Sequence, residues 1–464
     1  VSTQHNNIEI KGIDFQKILE VEIQQEPNEH AAAHVVGELP TARAQEYIQR
    51  ADTMQDIVIG TSGGQAVTYF SGYVTSMQIQ QQADYSRLII EAKDASYLLD
   101  IRKCSCSYQN TGKSYGDILQ QAYGDSGTLQ VTGSDQAIGG LILQMDETNW
   151  EFTKRMASRF NVPVISDITA TKPLIYFGVP DARRTLELTA AAISYGRSEK
   201  NFQRVSQNYL AEGNEAMRQD FADISVQSYD YAQIGDKVKL NGEEYVVRKV
   251  EAKLVDGLMQ MTYALTGEKG FVAPLQKNTN CAGRVLKAQV KAVKRDQIQA
   301  HLFEIDSEYD SSGDWWFPYS TAYSSSDGSG WYVMPEKDDY VRIMFPSKNE
   351  TDGFAASSIN SSPPESTRNK SFKAPGGKEI LLTDEGIYIM CQHQSIFIDL
   401  TQGDGIKIVS SKDIHVSSDA NVTLSAEKKL TMLAKEGLTL QTGDSKIAMK
   451  TDQIVLGAKN VVIT

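Results

Sequence analysis

From Ile406 to Leu456, apolar residues come in pairs two positions apart, and the pairs return about every eighth residue. The pairs are Ile406 with Ile408, Ile414 with Val416, Val422 with Leu424, Leu430 with Met432 and Leu438 with Leu440. The beat then loosens to Ile447 with Met449 and Ile454 with Leu456. Side chains at i and i+2 share one face of a strand, so each unit predicts one short strand. Ser417-Ser418-Asp419, Glu427-Lys428-Lys429 and Lys435-Glu436-Gly437 stand between pairs and suit solvated corners. A period of eight leaves no continuous stripe on a helix. A strand with two apolar side chains has to stack on neighbours. A one-chain triangular β-helix needs broad apolar faces and frequent tight-turn glycines, whereas this stretch has thin faces and few glycines. Three identical chains wound together would supply one face each and close every strand edge. The pattern therefore predicts a trimeric needle whose core is these paired residues.

Upstream, alternation dominates. Residues 1 to about 102 read as a β-rich, barrel-like module: "DIVIGTSGGQAVTYFSGYVTSMQIQ" alternates around a Gly-rich turn, and "DYSRLIIEAKDASYLLD" adds a strand and a short helical run. Helices are predicted at Ser114–Tyr123, with Ile118 and Leu119 inward, and over "DETNWEFTKRMASRF", whose first turn is acidic and whose apolar positions are Trp150, Phe152, Met156 and Phe160. Strand patterns resume at "PVISD" and "PLIYFG" and run to about Thr266, with Asn241-Gly242 as a hairpin signal. Between Gly283 and Asn360 lie "GRVLKAQV", "QIQAHLFEI", "WWFPYST", "GWYVMPEKDDYVRIMF" and "DGFAASSIN", enough strands for a small closed barrel. A Pro/Ser/Gly stretch, "SSPPESTRNKSFKAPGG", reads as a linker. The expected division is 1–105, a first β-barrel module; 106–275, a second β-module with a helical insertion; 276–360, a small barrel; 361–377, a linker; and 378–464, the repetitive β-segment.

Composition narrows the function classes. A chain of 464 residues with 41% apolar and 23% charged residues is ordinary for a globular protein of several domains. A net charge of -13 argues against sequence-independent binding to nucleic acid or an anionic membrane. No run of eighteen apolar residues occurs, and "VSTQHNNIEI" lacks the basic region and apolar core of a signal peptide, so assembly in the cytoplasm is expected. The four cysteines are too few and scattered for a disulfide framework, and Cys104 and Cys106 read as reduced structural residues.

Three patterns touch on chemistry. Gly60-Thr61-Ser62-Gly63-Gly64 fits the G-x-S-x-G nucleophile pattern, but a helix must follow the serine and here a strand pattern does, so a hairpin turn explains the glycines. His30 and His34 have the outer spacing of a metalloprotease helix without its glutamate. Paired carboxylates for glycoside hydrolysis carry no signal in a chain with 59 acidic residues. No phosphate loop or dinucleotide fingerprint appears. The residues point to a multidomain, oligomeric structural protein with no catalytic, metal or cofactor site.

The order of parts resembles the VgrG family, the hub and spike proteins of contractile phage tails and related injection systems. Thr68–Gln78, "TYFSGYVTSMQ", is similar to the family's first-module strand. Gln144–Asp167, "QMDETNWEFTKRMASRFNVPVISD", resembles the segment in which an acidic, aromatic helix start leads into an Arg-containing helix and a strand. Trp331–Phe345, "WYVMPEKDDYVRIMF", resembles the oligonucleotide/oligosaccharide-binding (OB) fold barrel. The resemblance implies a mainly β homotrimer: two hub β-barrel modules per chain, six around the axis, adapt a sixfold tube to a threefold spike, OB-fold barrels form a collar, and an intertwined β-helix or β-prism punctures the target envelope. It implies an inner tube protein and baseplate wedge or adaptor proteins as partners, transient contact with the target envelope, and ejection from a phage tail-like particle such as a tailocin. Some phage relatives carry a lysozyme between collar and needle, and some spikes end in a histidine-bound metal at the tip. This chain has neither, and no histidine follows His415, so wall digestion and a PAAR-type tip fall to other proteins. A trimeric β-helical receptor-binding fibre or adhesin is the alternative, and a carbohydrate-active β-solenoid is a weaker third.

Overall fold

The computed structural model describes residues 8–49, 55–62, 66–82, 85–181, 184–267, 269–392 and 395–462. They fall into two compact units, residues 1–361 and 362–464.

The first unit is built on a sheet of twelve strands among the described residues, antiparallel but for one pair. Its order is Ile8–Lys11, Asp56–Thr61, Thr68–Gln81, Ser86–Asp94, Ala32–Leu39, Lys17–Gln25, Glu243–Val255, Leu258–Thr266, Ala222–Ser228, Ala190–Arg197; Lys237–Leu240 branches from Glu243–Val255, and Thr185–Glu187 pairs in parallel with Lys237–Leu240. The strands expected in two separate modules thus join edge to edge, Val250 facing Gln25 and Lys253 facing Glu22. Alternation carries Val21, Ile23, Val35, Phe70, Leu88 and Ile90 from one half and Val226, Val247, Val250, Met261 and Tyr263 from the other into a single core. Asn241 and Gly242 have φ of 52° and 87° and turn the hairpin between Lys237–Leu240 and Glu243–Val255, as the dipeptide predicts.

Between these halves the chain forms a helical module with its own core. Four α-helices occur among the described residues: α1 Thr41–Gln49, α2 Tyr115–Tyr123, α3 Asn149–Ser158 and α4 Glu199–Asn208. Reciprocal capping boxes start α2, through Ser114 and Asp117, and α3, through Thr148 and Glu151. Trp150, Phe152 and Met156 are buried as the pattern requires, and Phe160 lies half-buried beyond the last turn. Two helices depart from the expected strands. Each buries little, α4 only Val205 and α1 only Ala44 and Tyr47, so good helix formers, Glu, Lys, Gln and Arg, rather than an apolar stripe mark them. The helical run expected near "ASYLLD" is a 3₁₀ turn, Ala95–Leu99.

Five strands, Arg284–Lys294, Gln297–His301, Phe317–Pro318, Tyr340–Phe345 and Phe354–Ile359, form a small barrel. A bridge between Tyr319 and Ala355, with Ser320 N–H donating to Ala355 O at 2.7 Å, closes it. "GWYVMPEKDDYVRIMF" is a strand only over Tyr340–Phe345, and its first half belongs to a long loop. Strand Ile142–Thr148 has apolar residues on both faces because it serves two cores, Ile142 in the helical module and Leu143 and Met145 against the barrel.

The second unit holds two antiparallel meanders. The first runs Lys370–Ala374, Lys378–Leu382, Gly386–Gln392, Ile396–Thr401, Gly405–Ser410; the second runs Gly437–Thr442, Ser445–Lys450, Ile454–Gly457. The stretch read as linker therefore contains the first strand of a meander. The units Ile414/Val416, Val422/Leu424 and Leu430/Met432, expected as strands, form no hydrogen-bonded strand in the single chain. No neighbouring strand is there to pair with them.

Candidate functional site

The registers line the residues of the eight-residue beat into rows. In the first meander Phe372, Ile380, Ile389, Ile398 and Ile408 face one another across five strands, and Leu382, Ile387, Leu400 and Ile406 form the next row. In the second, Leu438, Met449 and Ile454 make one row and Leu440, Ile447 and Leu456 another. Each meander is one layer thick, so the rows have no covering layer within the unit. Ile406, Ile408, Leu440, Ile447, Ile454 and Leu456 are exposed, and Leu438 and Met449 are half-buried. Ile414, Val416, Val422, Leu424, Leu430 and Met432 are also exposed, Val416 by 76% and Leu430 by 56%. Open hollows of about 450 Å³ at Leu382, Ile387, Leu400 and Ile406 and about 550 Å³ at Leu440, Ile447, Leu456, Val461 and Val462 lie along these rows. An exposed apolar face of this extent marks an interaction site.

The first unit carries a different feature, a buried charged centre. Arg155 on α3 donates to Glu147 through Nε at 2.6 Å and Nη2 at 2.7 Å, to Glu350 through Nη1 at 2.7 Å, and to the Leu143 carbonyl at 2.6 Å. Arg159 and Asn278 donate to the Glu350 carboxylate at 3.0 Å each. Burial would pull the Arg155 guanidinium down, but the hydrogen bonds and charges of Glu147 and Glu350 outweigh it and hold the group above its ordinary value. The cluster fastens the helical module to the barrel turn at Glu350.

No protein-family model matches the sequence, and no curated protein matches it. Solved structures do match in fold. The c3393 protein of E. coli, a component of the type VI secretion system with structural similarity to the T4 bacteriophage tail proteins gp27 and gp5, aligns over 76% of this chain and 100% of its own, with a TM-score of 0.54 and 14% identity. A VgrG complex from Francisella, solved with PdpA in a lidded form, aligns over 86% of this chain and 79% of its own, with a TM-score of 0.54 and 12% identity. A half-lidded form gives a TM-score of 0.53 at 11% identity over 86% of this chain and 87% of that one. The chain shares the fold of these VgrG and type VI secretion proteins.

Within this VgrG fold the sequence-flagged residues take separate places. Ser62 is exposed between strands Asp56–Thr61 and Thr68–Gln81, and Gly63 and Gly64 of its pattern lie outside the described residues. His34 lies in strand Ala32–Leu39 and His30 two residues before it, rather than on adjacent helical turns. His34 Nδ1 lies 2.7 Å from Glu91 on the neighbouring strand. His30 Nδ1 lies 2.6 Å from Ser96 Oγ and its Nε2 lies 3.1 Å from Asp100, with Trp150 against the ring. This serine–histidine–carboxylate chain resembles a nucleophile relay, but Ser96 is 1% exposed and donates to buried Asp94 at 2.8 Å, so its hydroxyl is enclosed and engaged. Burial raises the Asp94 carboxyl above its ordinary value, against the Ser166 and Ser96 hydroxyls and His30.

All four cysteines are free thiols, and a bulge falls between Cys104 and Cys106. Burial, with Asp306 nearby, pushes the Cys106 thiol up to about 12. Among the described residues no three His, Cys, Asp or Glu side chains are grouped to hold a metal ion, and no helix is long and apolar enough to cross a membrane. Sequence reading missed the Arg155 centre. Its signal was an arginine at an inward position of α3, between Phe152 and Met156.

Proposed function

We propose that the chain is a structural, non-enzymatic hub-and-spike subunit of a contractile injection machine, working as a homotrimer. The observation that carries this reading is the set of apolar rows on single-layer meanders of residues 362–464, aligned by register and uncovered in one chain. Three copies facing inward would bury those rows against one another, and burying a leucine or isoleucine contributes about 1.5–3 kcal/mol each. The VgrG-like fold over most of the chain supports the same role, with residues 1–361 as hub and collar, the barrel as an OB-fold, and residues 362–464 as the spike that punctures the target envelope under load. Partners of this subunit are an inner tube protein, baseplate adaptor proteins and a PAAR-type tip protein.

The test is the mass of the purified protein by light scattering. A particle of about 154 kDa, three times the 51.3 kDa chain, is expected if the subunits close cyclically. A folded monomer at micromolar concentration would refute the trimeric spike. Labelled protein found on outer fibres rather than at the tube base would move the assignment to a receptor-binding fibre.

A further inference from the structure

Strand Lys103–Tyr108 has one neighbour. It pairs with Ile142–Thr148 in a sheet of two strands, and among the described residues its backbone meets no backbone group outside that ladder. Its second edge is open. Ser107 shows which way this edge faces: it stands opposite Leu143, whose carbonyl is turned instead to Arg155 and Asn278. In an antiparallel ladder such a pair directs the N–H and C=O of each residue away from its partner. The Ser107 N–H accordingly donates to Asp306 Oδ1 at 2.7 Å, and the carbonyl on the same side meets only the Cys106 thiol, at 3.6 Å.

This edge opens into a cleft of about 640 Å³, lined by residues 105–110 of the helical module and by His301 and residues 305–310 of the barrel. Asp306 stands where a neighbouring strand would: it takes the Ser107 amide and, at 2.5 Å, the Ser107 hydroxyl. Burial raises this carboxyl above its ordinary value, against those bonds, so the charge that caps the edge is held at a cost. The lining also has a sign. Asp306, Glu308 and Asp310 face one lysine, Lys113, which already reaches Asp310 at 3.4 Å and Gln121 at 3.2 Å. Glu308 is exposed and has neither an ion pair nor a hydrogen bond among the described residues. The aromatic rings are not free to stack on a sugar, since Tyr108 lies on Phe152 and Tyr309 is in contact with His301 and Lys291.

We propose that this cleft takes an extended segment of a partner protein carrying lysine or arginine, added as a third strand along Lys103–Tyr108. The main chain of the segment bonds to the open edge and displaces Asp306 from the Ser107 amide, while its basic side chains pair with Asp306 and Glu308. A net charge of -13 on the chain favours a basic partner in the same sense. The site lies within residues 1–361 and does not depend on the trimeric spike.

Selection of random dodecapeptides, displayed on mRNA, against the full-length chain tests this. Selected peptides are expected to be rich in lysine or arginine alternating with β-branched residues, and to slow hydrogen–deuterium exchange in 103–110 by about tenfold or more. They are expected to bind about tenfold more weakly to Glu308→Lys. Exchange separates strand addition from attraction alone: basic peptides that bind but leave 103–110 exchanging as before would overturn the proposal. An empty selection, peptides with no excess of basic residues, or a footprint elsewhere on the chain would overturn it too. So would slow exchange of 103–110 in the peptide-free protein that is lost on dilution to monomer, because another copy of the chain would then hold the edge. Exchange protection at 284–345 reports whether Glu308→Lys is folded, and Glu308→Gln, with an expected loss of about threefold, replaces it if that barrel is lost.

Discussion

Arg155 shows what a single side chain holds in this molecule. Three of its four hydrogen bonds go to the buried carboxylates of Glu147 and Glu350 and the fourth to the Leu143 carbonyl, while Arg159 reaches only Glu350. Replacing a buried pair by apolar residues is often harmless, but removing one partner strands the other charge. Arg155→Met is therefore expected to destabilise the first unit by about 3–5 kcal/mol, read as a lower urea midpoint by tryptophan fluorescence. A change below about 1 kcal/mol would mean that water or relaxation solvates Glu147 and Glu350. Asp94 makes a second prediction, with pH. Its folded value lies above the unfolded one, so the protonated form is favoured by folding. That contribution is fully present below the ordinary carboxylate range and is lost as pH rises through the raised value. Unfolding free energy measured between pH values of about 4 and about 7 is expected to fall less steeply with rising pH in Asp94→Asn than in wild type. Parallel profiles for the two proteins would refute a raised Asp94.

At the scale of the element, the Asn241-Gly242 hairpin isolates backbone conformation from packing. A Cβ at Gly242 meets nothing within 4 Å, yet the residue sits at φ 87°. Gly242→Val is expected to cost about 1–2 kcal/mol through the left-handed backbone alone, and Asn241→Gly close to nothing, as compared by thermal unfolding. Equal effects would show that side chains rather than φ set this turn. That hairpin was legible because its signal is local. So were α2 and α3, where Ser114 with Asp117 and Thr148 with Glu151 mark the starts and a one-sided apolar pattern follows. The beat was legible because a period of eight recurs. The pairing of Lys17–Gln25 with Glu243–Val255 was not, since no local pattern names a partner more than 200 residues away. The same holds for Arg155, whose second carboxylate lies 195 residues on. Helices α1 and α4 escaped because they bury too few side chains to imprint a stripe.

At the scale of the whole molecule, the division after Ser361 separates two kinds of stability. Residues 1–361 enclose three cores of their own, around Phe70 and Tyr263, around Trp150 and Phe152, and around Phe317 and Phe345. Among the described residues, 362–464 enclose none, and their exposed rows have nothing to bury against within the unit. Folding of the first unit should therefore be independent of the second, whereas folding of the second should depend on association. A chain ending at Ser361 is expected to keep its native exchange protection at 284–345 and the unfolding midpoint of that unit in the full-length chain. On the proposed spike role, particles assembled with it should form but fail to penetrate. If the truncated chain loses barrel protection, the first unit needs the second to fold. If particles carrying it still deliver or kill as before, residues 362–464 are not the puncturing element, and their apolar rows must serve a different partner.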